Sequence, residues 1–357
     1  MNLLAPEKVG GKIVEWHSCL MAKDIESAKA ARDQALIAVE KMKPDDKMLA
    51  YYQLISMRHD LLTNQKNTTE WNEVERKTEE YLYFMYYYVS GQNEFLHGRY
   101  KSAIRTFKIA ERLIEQVNDP SEKAEFYQKL GISYYRIDQY SFASSYIEQA
   151  LEFFEKQSLY KENELVCKMV LAAIESELSR FDSAESLFKE LIELSKPYPF
   201  RRGLIFYNMG MNRLAQKQLE AALSCMEQAL SIPEHARAIN GIKSRFYVAN
   251  IRLRLGLAVA DLSTIETEIK KLKLDEFSAR SQVVRGLYLD NDLALVESGI
   301  KKLEDNQLFF ECSEVCEEVA QHFELKGDFS TALHYSKLAI AKKKHQTIMG
   351  IEKSLSV

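Results

Sequence analysis

Proline is scarce in this 357-residue chain, at six residues, and glycine is uncommon, at thirteen. Both interrupt helices, so their scarcity favours long helical runs. The five cysteines (Cys19, Cys167, Cys225, Cys312 and Cys316) are odd in number and irregular in spacing. That excludes a disulfide framework and leaves them to be read as buried or incidental thiols. The longest uncharged run, Tyr81 to Asn93, falls short of the roughly 20 residues needed to span a bilayer. Met1 to Gly11 lacks the basic start and apolar core of a signal peptide. A reduced, cytoplasmic location without membrane contact is therefore expected. Neither sign of charge dominates: 48 Lys and Arg face 52 Asp and Glu, for a net charge of -4, which gives no whole-chain case for binding nucleic acid or lipid. No phosphate loop, zinc-ligand spacing or H-E-x-x-H pattern occurs, so no cofactor and no metal is expected.

What is present is a pattern that returns about every 40 residues. Gly98, Tyr100, Ala103, Phe107 and Ala110 form one copy, and Tyr140, Ala143, Ile147 and Ala150 the next. Phe181, Ala184, Phe188 and Leu191 follow, then Leu219, Ala222, Met226 and Ala229, and finally Gly327, Phe329, Ala332 and Ala339. A small residue flanked by apolar ones at this spacing is the packing stripe of a short helix. Its repetition predicts stacked helical pairs, a solenoid built for binding. Gly91, Gly131 and Gly210 each stand twelve positions before the alanine of their copy, as in the tetratricopeptide class that the repeats resemble. Clear copies cover 84–117, 124–155, 165–196, 203–233 and 313–345. The stretch 240–305 is weaker, with Asp261 where alanine is expected, and is read as two degenerate pairs.

Residues 1–66 do not carry the repeat. Val9, Ile13, Trp16 and Leu20 mark a first helix. A second follows Asp24, a candidate N-cap, with Ile25, Ala28, Ala35 and Val39 on one face. A third opens at Asp45 or Asp46 and carries Leu49, Tyr52, Ile55, His59 and Leu62. Short turns predict an antiparallel three-helix bundle. The expected organisation is all-α: a bundle at 1–66, a linker helix at 67–83 in a run from Glu70 to Leu96, a right-handed tetratricopeptide-like solenoid of about seven pairs at 84–345, and a tail at 346–357.

Chemistry-bearing candidates are few. Asp45 and Asp46 are a possible general base or metal pair, but acids after Pro44 at a helix start also favour the positive end of the helix dipole. His59 reads as a packing residue, and the run Tyr81, Tyr83, Phe84, Tyr86, Tyr87, Tyr88 as inter-repeat core with a wet edge. The bundle segment is nearly neutral and lacks a helix-turn-helix turn, so it is not expected to bind nucleic acid directly.

Lys12-Ile13-Val14-Glu15-Trp16, Tyr51-Tyr52-Gln53-Leu54 with Arg58-His59, and Ala124-Glu125-Phe126-Tyr127 with Lys129 and Tyr134-Tyr135 resemble the Rap family, the response regulator aspartate phosphatases and inhibitors of Bacillus and its relatives. The resemblance runs through nearly the whole chain. It implies that the bundle and the start of the repeats grip a response regulator. Some members dephosphorylate an aspartyl phosphate of a sporulation phosphorelay protein; others keep a competence-type transcription factor from DNA. A penta- or hexapeptide in the repeat groove switches many members off. Partner-binding positions implied here are Asp45, Asp46, Tyr51 and Arg58, on the solvent side of the third helix; Asn208 and Glu177 are implied for the peptide.

This sequence departs from the family where the chemistry lies. Phosphatase members carry a glutamine five residues before the Tyr-Tyr pair, and here that position is Asp46. A glutamine amide orients water without adding charge; a carboxylate would face a phosphoryl group and an acidic pocket. Weak or no phosphatase activity is therefore expected, with no confident catalytic residue and inhibition by binding as the leading reading. The alternative is a phosphatase using water placed by Asp46 or Gln53. Asn208 matches a peptide-pinning asparagine of the family, but an asparagine and aspartate three apart on the preceding repeat are replaced by Ile174 and Glu177, which is expected to weaken or re-tune peptide capture. A further possibility is a scaffold whose groove takes a partner's terminus.

Overall fold

The computed structural model describes residues 3–63, 80–259 and 262–352. Three helices come first: α1 (Pro6–Met21), α2 (Ile25–Glu40) and α3 (Asp46–Thr63). The rest form seven helix-turn-helix pairs: α4 (Glu80–Leu96) with α5 (Tyr100–Ile114), α6 (Pro120–Tyr135) with α7 (Tyr140–Phe154), α8 (Lys161–Glu177) with α9 (Phe181–Leu194), and α10 (Pro199–Ala215) with α11 (Leu219–Leu230). After the short α12 (Pro233–Arg237) come α13 (Ile239–Arg254) with α14 (Leu262–Lys271), α15 (Asp275–Tyr288) with α16 (Leu293–Asp305), and α17 (Phe309–Leu325) with α18 (Phe329–Glu352). Among the described residues there is no β-strand, only an isolated bridge between Leu4 and Met42, and no helix is long and apolar enough to cross a membrane.

The turn inside each of the seven pairs uses the same device. One residue takes a positive φ: Gly98, Asp138, Ser179, Lys217, Gly256, Asn291 or Gly327. Such a residue stops one helix and lets the chain reverse into the next. The second helix usually opens two residues later, but after Gly256 it opens six later, at Leu262. That four-residue excess is why 240–305 reads weakly. The small-residue slot moves from Asp261, which lies outside the described residues, to Ile265, followed by Ile269 at the usual four-residue step; both are buried. In the next pair Val296, Ile300 and Leu303 take the stripe. A Cβ at Gly91 or Gly131 would stand 2.5 or 2.8 Å from Phe107 or Ile147, so close helix approach favours glycine there; at Gly210 the nearest atom is the flexible methyl end of Met226, at 2.9 Å.

The chain forms two compact units, Met1–Ile174 and Glu175–Val357. In the first, the bundle has no core of its own. Trp16, Leu20 and Leu54 belong to the same apolar cluster as Phe84, Tyr88, Phe107 and Phe126. Asp24 caps α2 through Ser27 N–H at 3.0 Å. His59 packs as a buried acceptor, taking the Trp16 indole N–H at 3.0 Å, while Leu49 is more than a third exposed rather than enclosed in the core. Phe84 and Tyr88 stack in the core, and Tyr81, Tyr83, Tyr86 and Tyr87 are half-buried. In the second unit, clusters around Met226, Phe246 and Phe277 and around Val283, Cys312, Cys316 and Tyr335 fill successive pairs. All five thiols are free, and all but Cys19 are buried. Residues 67–79 of the expected linker lie outside the described residues. At the other end, α18 continues to Glu352, so 346–352 extends a helix where a tail was expected.

Candidate functional site

In the first unit, α1, α3 and the ends of α4, α5 and α6 enclose a cleft of about 1010 Å³. Asp45, just before α3, and Met48 and Tyr51, on its first turns, line it. Asp45 caps α3, accepting from Met48 N–H at 2.9 Å, so the structure uses this carboxylate to hold a helix end. Asp46, in the first turn, is exposed, as is Gln53 two turns further on. Tyr51 turns into the cleft with Tyr81, their rings edge-on at 6.0 Å. Burial pushes the Tyr51 hydroxyl up to about 12, with Glu122 adding to the effect.

The base of the cleft meets a buried charge cluster. Arg58 was expected on the solvent side of α3, but it is fully buried. The reason is the packing of α3: its middle is covered by α1, α2 and α4, so Leu54 through Asp60 are buried without interruption. The guanidinium pairs with Glu125, lies 3.7 Å from Glu122, bonds His17 and stands 5.4 Å above the Tyr88 ring. Burial alone would lower its pKa; Glu125, then Tyr88 and Glu122, reverse this and hold it above the ordinary value. Glu122 accepts from Tyr81 at 3.3 Å. Burial pushes its carboxyl up to about 7, with Arg58 opposing. His17 is driven well below the usual imidazole range by burial and then by Arg58, so it stays neutral and accepts from the guanidinium. The expectation that Arg58 lies on the solvent side and touches a partner directly is corrected: it is buried beneath the cleft that Asp45 and Tyr51 line.

Sequence reasoning singled out neither His17 nor Glu122, and quoted Glu125 only within a family block. A usable signal existed. Glu122 and Glu125 are three apart on α6, in line with buried Ala124 and Gln128, so two carboxylates share a packed face and demand a buried cation.

The peptide candidates lie in the second unit. Asn208 is half-buried on α10, one residue after Tyr207, whose ring meets Tyr247 edge-on at 6.0 Å. Glu177 is the last residue of α8 and is exposed. Ile174, where the family has an amide, is buried in an apolar cluster. Among the described residues no group of three or more His, Cys, Asp or Glu is arranged to hold a metal.

Residues 3–64 match the family described as response regulator aspartate phosphatase H, N terminal. The chain is 35% identical to the type II methyltransferase M.CeqI of Rhodococcus hoagii over 98% of this chain and 70% of that protein. It is 25% identical to the regulatory protein RapG of Bacillus subtilis over 67% of each, and 23% identical to response regulator aspartate phosphatase I of the same organism over 93% and 90%. The methyltransferase name belongs to that relative; the described part of this chain is helical, without the parallel sheet on which open α/β folds build cofactor loops. The crystal structure of a Rap protein complexed with competence and sporulation factor superposes with a TM-score of 0.86 at 22% identity, covering 96% of this chain and 99% of that one. The Rap conjugation regulator of plasmid pLS20, solved with the Phr* peptide, gives 0.73 at 19% identity and 98% coverage of both. A family match confined to the bundle, relatives that continue through the repeats and the shared fold agree: the chain belongs to the Rap family.

Proposed function

We propose that this protein regulates a bacterial response regulator by holding it, rather than by dephosphorylating it. The first turn of α3 carries this reading. Asp46 offers an exposed carboxylate where phosphatase members of the family have an amide, and Asp45 beside it is engaged as a cap. A carboxylate aimed at an aspartyl phosphate adds like charge to an already acidic site. The regulator is of the transcription-factor class associated with competence, and occupancy of its DNA-binding region keeps it from DNA. The bundle supplies the grip through Asp45 and Tyr51, which line the cleft, and the exposed Asp46 beside them, and Arg58 supports it from beneath. A penta- or hexapeptide at Asn208 modulates the grip; its amide suits a peptide backbone, offering a donor and an acceptor together. A partner of this kind places the protein in the cytoplasm.

The test combines a phosphorylated receiver-containing regulator with the full chain. We expect a stable complex, loss of the regulator's DNA gel shift and persistence of the phosphoryl label. Label loss that Asp46→Ala abolishes would instead establish the phosphatase alternative, for which the exposure of Gln53 near Asp46 is the supporting observation. Asn208→Ala is expected to remove any peptide response while sparing the regulator complex.

A further inference from the structure

The charge cluster beneath the cleft is one positive charge short. Glu122 and Glu125 are both buried, and Arg58 is the cation they share. His17 does not help, because burial and Arg58 keep it neutral. A buried carboxylate without its own cation is costly, and the raised pKa of Glu122 reflects this. Only one of its oxygens is engaged. Oε1 accepts from the Tyr81 hydroxyl at 3.3 Å and lies 3.7 Å from Arg58. Oε2 has no hydrogen bond or ion pair among the described residues. The residue is 1% exposed, yet it lines the cleft, so Oε2 is the acceptor left for whatever enters there.

The rest of the lining has the same sign. Glu7, Asp45, Glu80 and Asp119 line the cleft as well, against Lys47 as the one permanent cation among its described lining residues. A cleft lined by one sign of charge concentrates the other. A hard metal ion would need several oxygens converging on one point. Here Asp45 and Asp119 are engaged as helix caps, and Glu7 and Glu80 are exposed, so the carboxylates are dispersed. That arrangement suits an organic cation on a flexible chain. Tyr51 and Tyr81 wall the same space, and aromatic rings favour a weakly hydrated guanidinium over an ammonium. We propose that the cleft is a binding site for an alkylguanidinium group, which pairs with Oε2 of Glu122 beside Tyr51 and Tyr81. The group is carried either by a free small cation or by an arginine side chain of a protein partner.

Titration calorimetry of agmatine, an alkylguanidinium with a distal ammonium, into the full chain up to about 10 mM tests this. One saturable site is expected at pH 8. The groups facing Glu122 are His17 of α1, Arg58 and Tyr51 of α3, Tyr81 of α4, and Asp119 and Glu125 beside it. From pH 6 to pH 8 His17 stays neutral, Arg58 charged and both tyrosines protonated. The carboxyl of Glu122, at about 7, therefore sets the response. Its ionised form holds the cation, so affinity should fall about tenfold from pH 8 to pH 6, with close to one proton released per agmatine bound at pH 6. Glu122→Gln keeps the shape and an acceptor for Tyr81 but removes the charge. It should weaken binding by at least about tenfold at pH 8 and flatten the pH profile, with an unchanged circular dichroism spectrum. Absence of saturable heat, an affinity flat from pH 6 to pH 8, or a folded Glu122→Gln chain that binds like the parent would each overturn the proposal. The pH profile is read on the parent chain and without any regulator, so it stands independently of the variant and of the regulator complex. Agmatine is then added to that complex. Dispersal that Glu122→Gln abolishes identifies the group as a partner's arginine side chain; a complex that persists with agmatine bound identifies a free cation.

Discussion

Removing the Arg58 guanidinium leaves Glu122 and Glu125 buried without their cation. Truncating one member of a buried ion pair strands the other charge, which ordinarily costs about 3–5 kcal/mol. Arg58→Met is therefore expected to lower the stability of the full chain by that order in urea denaturation. The triple variant Arg58→Met, Glu122→Leu, Glu125→Leu should recover most of the loss, since no charge is then left buried. If Arg58→Met alone is neutral, the cluster is not holding the bundle. Glu311, in the second unit, gives a pH signature. Burial, reinforced by Glu276 and opposed by Arg280, pushes its carboxyl up to about 7 from a usual value of 4.5. A raised carboxyl pKa means that the folded state holds the proton more tightly than the unfolded one. Its contribution to stability is complete below about 4.5 and is lost as pH rises through about 7. Glu311→Gln should thus match the parent near pH 4 and melt higher than it at pH 8. A parallel pair of melting curves across that range would contradict the assignment.

The helical pairs turn on single left-handed residues. Gly98 adopts this conformation freely, whereas Lys217, with φ of 61°, carries a Cβ into it at a cost of roughly 1 kcal/mol. Gly98→Ala is expected to destabilise by about that amount and Lys217→Gly to stabilise by somewhat less, both read from denaturation midpoints at constant m-value. The repeat was legible in the sequence because this turn and the stripe after it recur in register: Ala103, Ala143, Ala184, Ala222 and Ala332 each stand five residues past the left-handed position. It blurred only where four residues were added after Gly256, shifting the stripe onto Ile265 and Ile269, and in the next pair, where Val296 fills the small slot. The bundle helices were legible for the same reason: Val9, Ile13, Trp16 and Leu20 keep helical spacing, and Asp24 and Asp45 cap as their positions suggest. The central face of α3 was not, because periodicity in one helix does not show how many neighbours cover it. Arg58 looked exposed by spacing and is enclosed by packing.

At the scale of the whole molecule, the shared core changes how the bundle is to be regarded. Trp16, Phe84, Tyr88, Phe107 and Phe126 belong to one cluster, so residues 3–63 are not a detachable module. Deleting them strips the cover from Phe84 and Tyr88, each fully buried. The truncated chain is expected to aggregate or to lose cooperative melting of its first repeats, as judged by size-exclusion chromatography and circular dichroism. A soluble, cooperatively melting deletion variant would show that the repeats close their own core. Regulator-binding experiments are for that reason better made with point variants at the start of α3, such as Asp46→Ala and Tyr51→Ala, than with truncations.

The lengthened turn after Gly256 has a practical corollary. It adds backbone without disturbing the seam formed by Ile265 and Ile269, so the architecture already tolerates extra residues at that point. Leu257, nearly half exposed, marks a natural attachment point for engineering: a fluorescent reporter or affinity peptide spliced in there would ride on the scaffold.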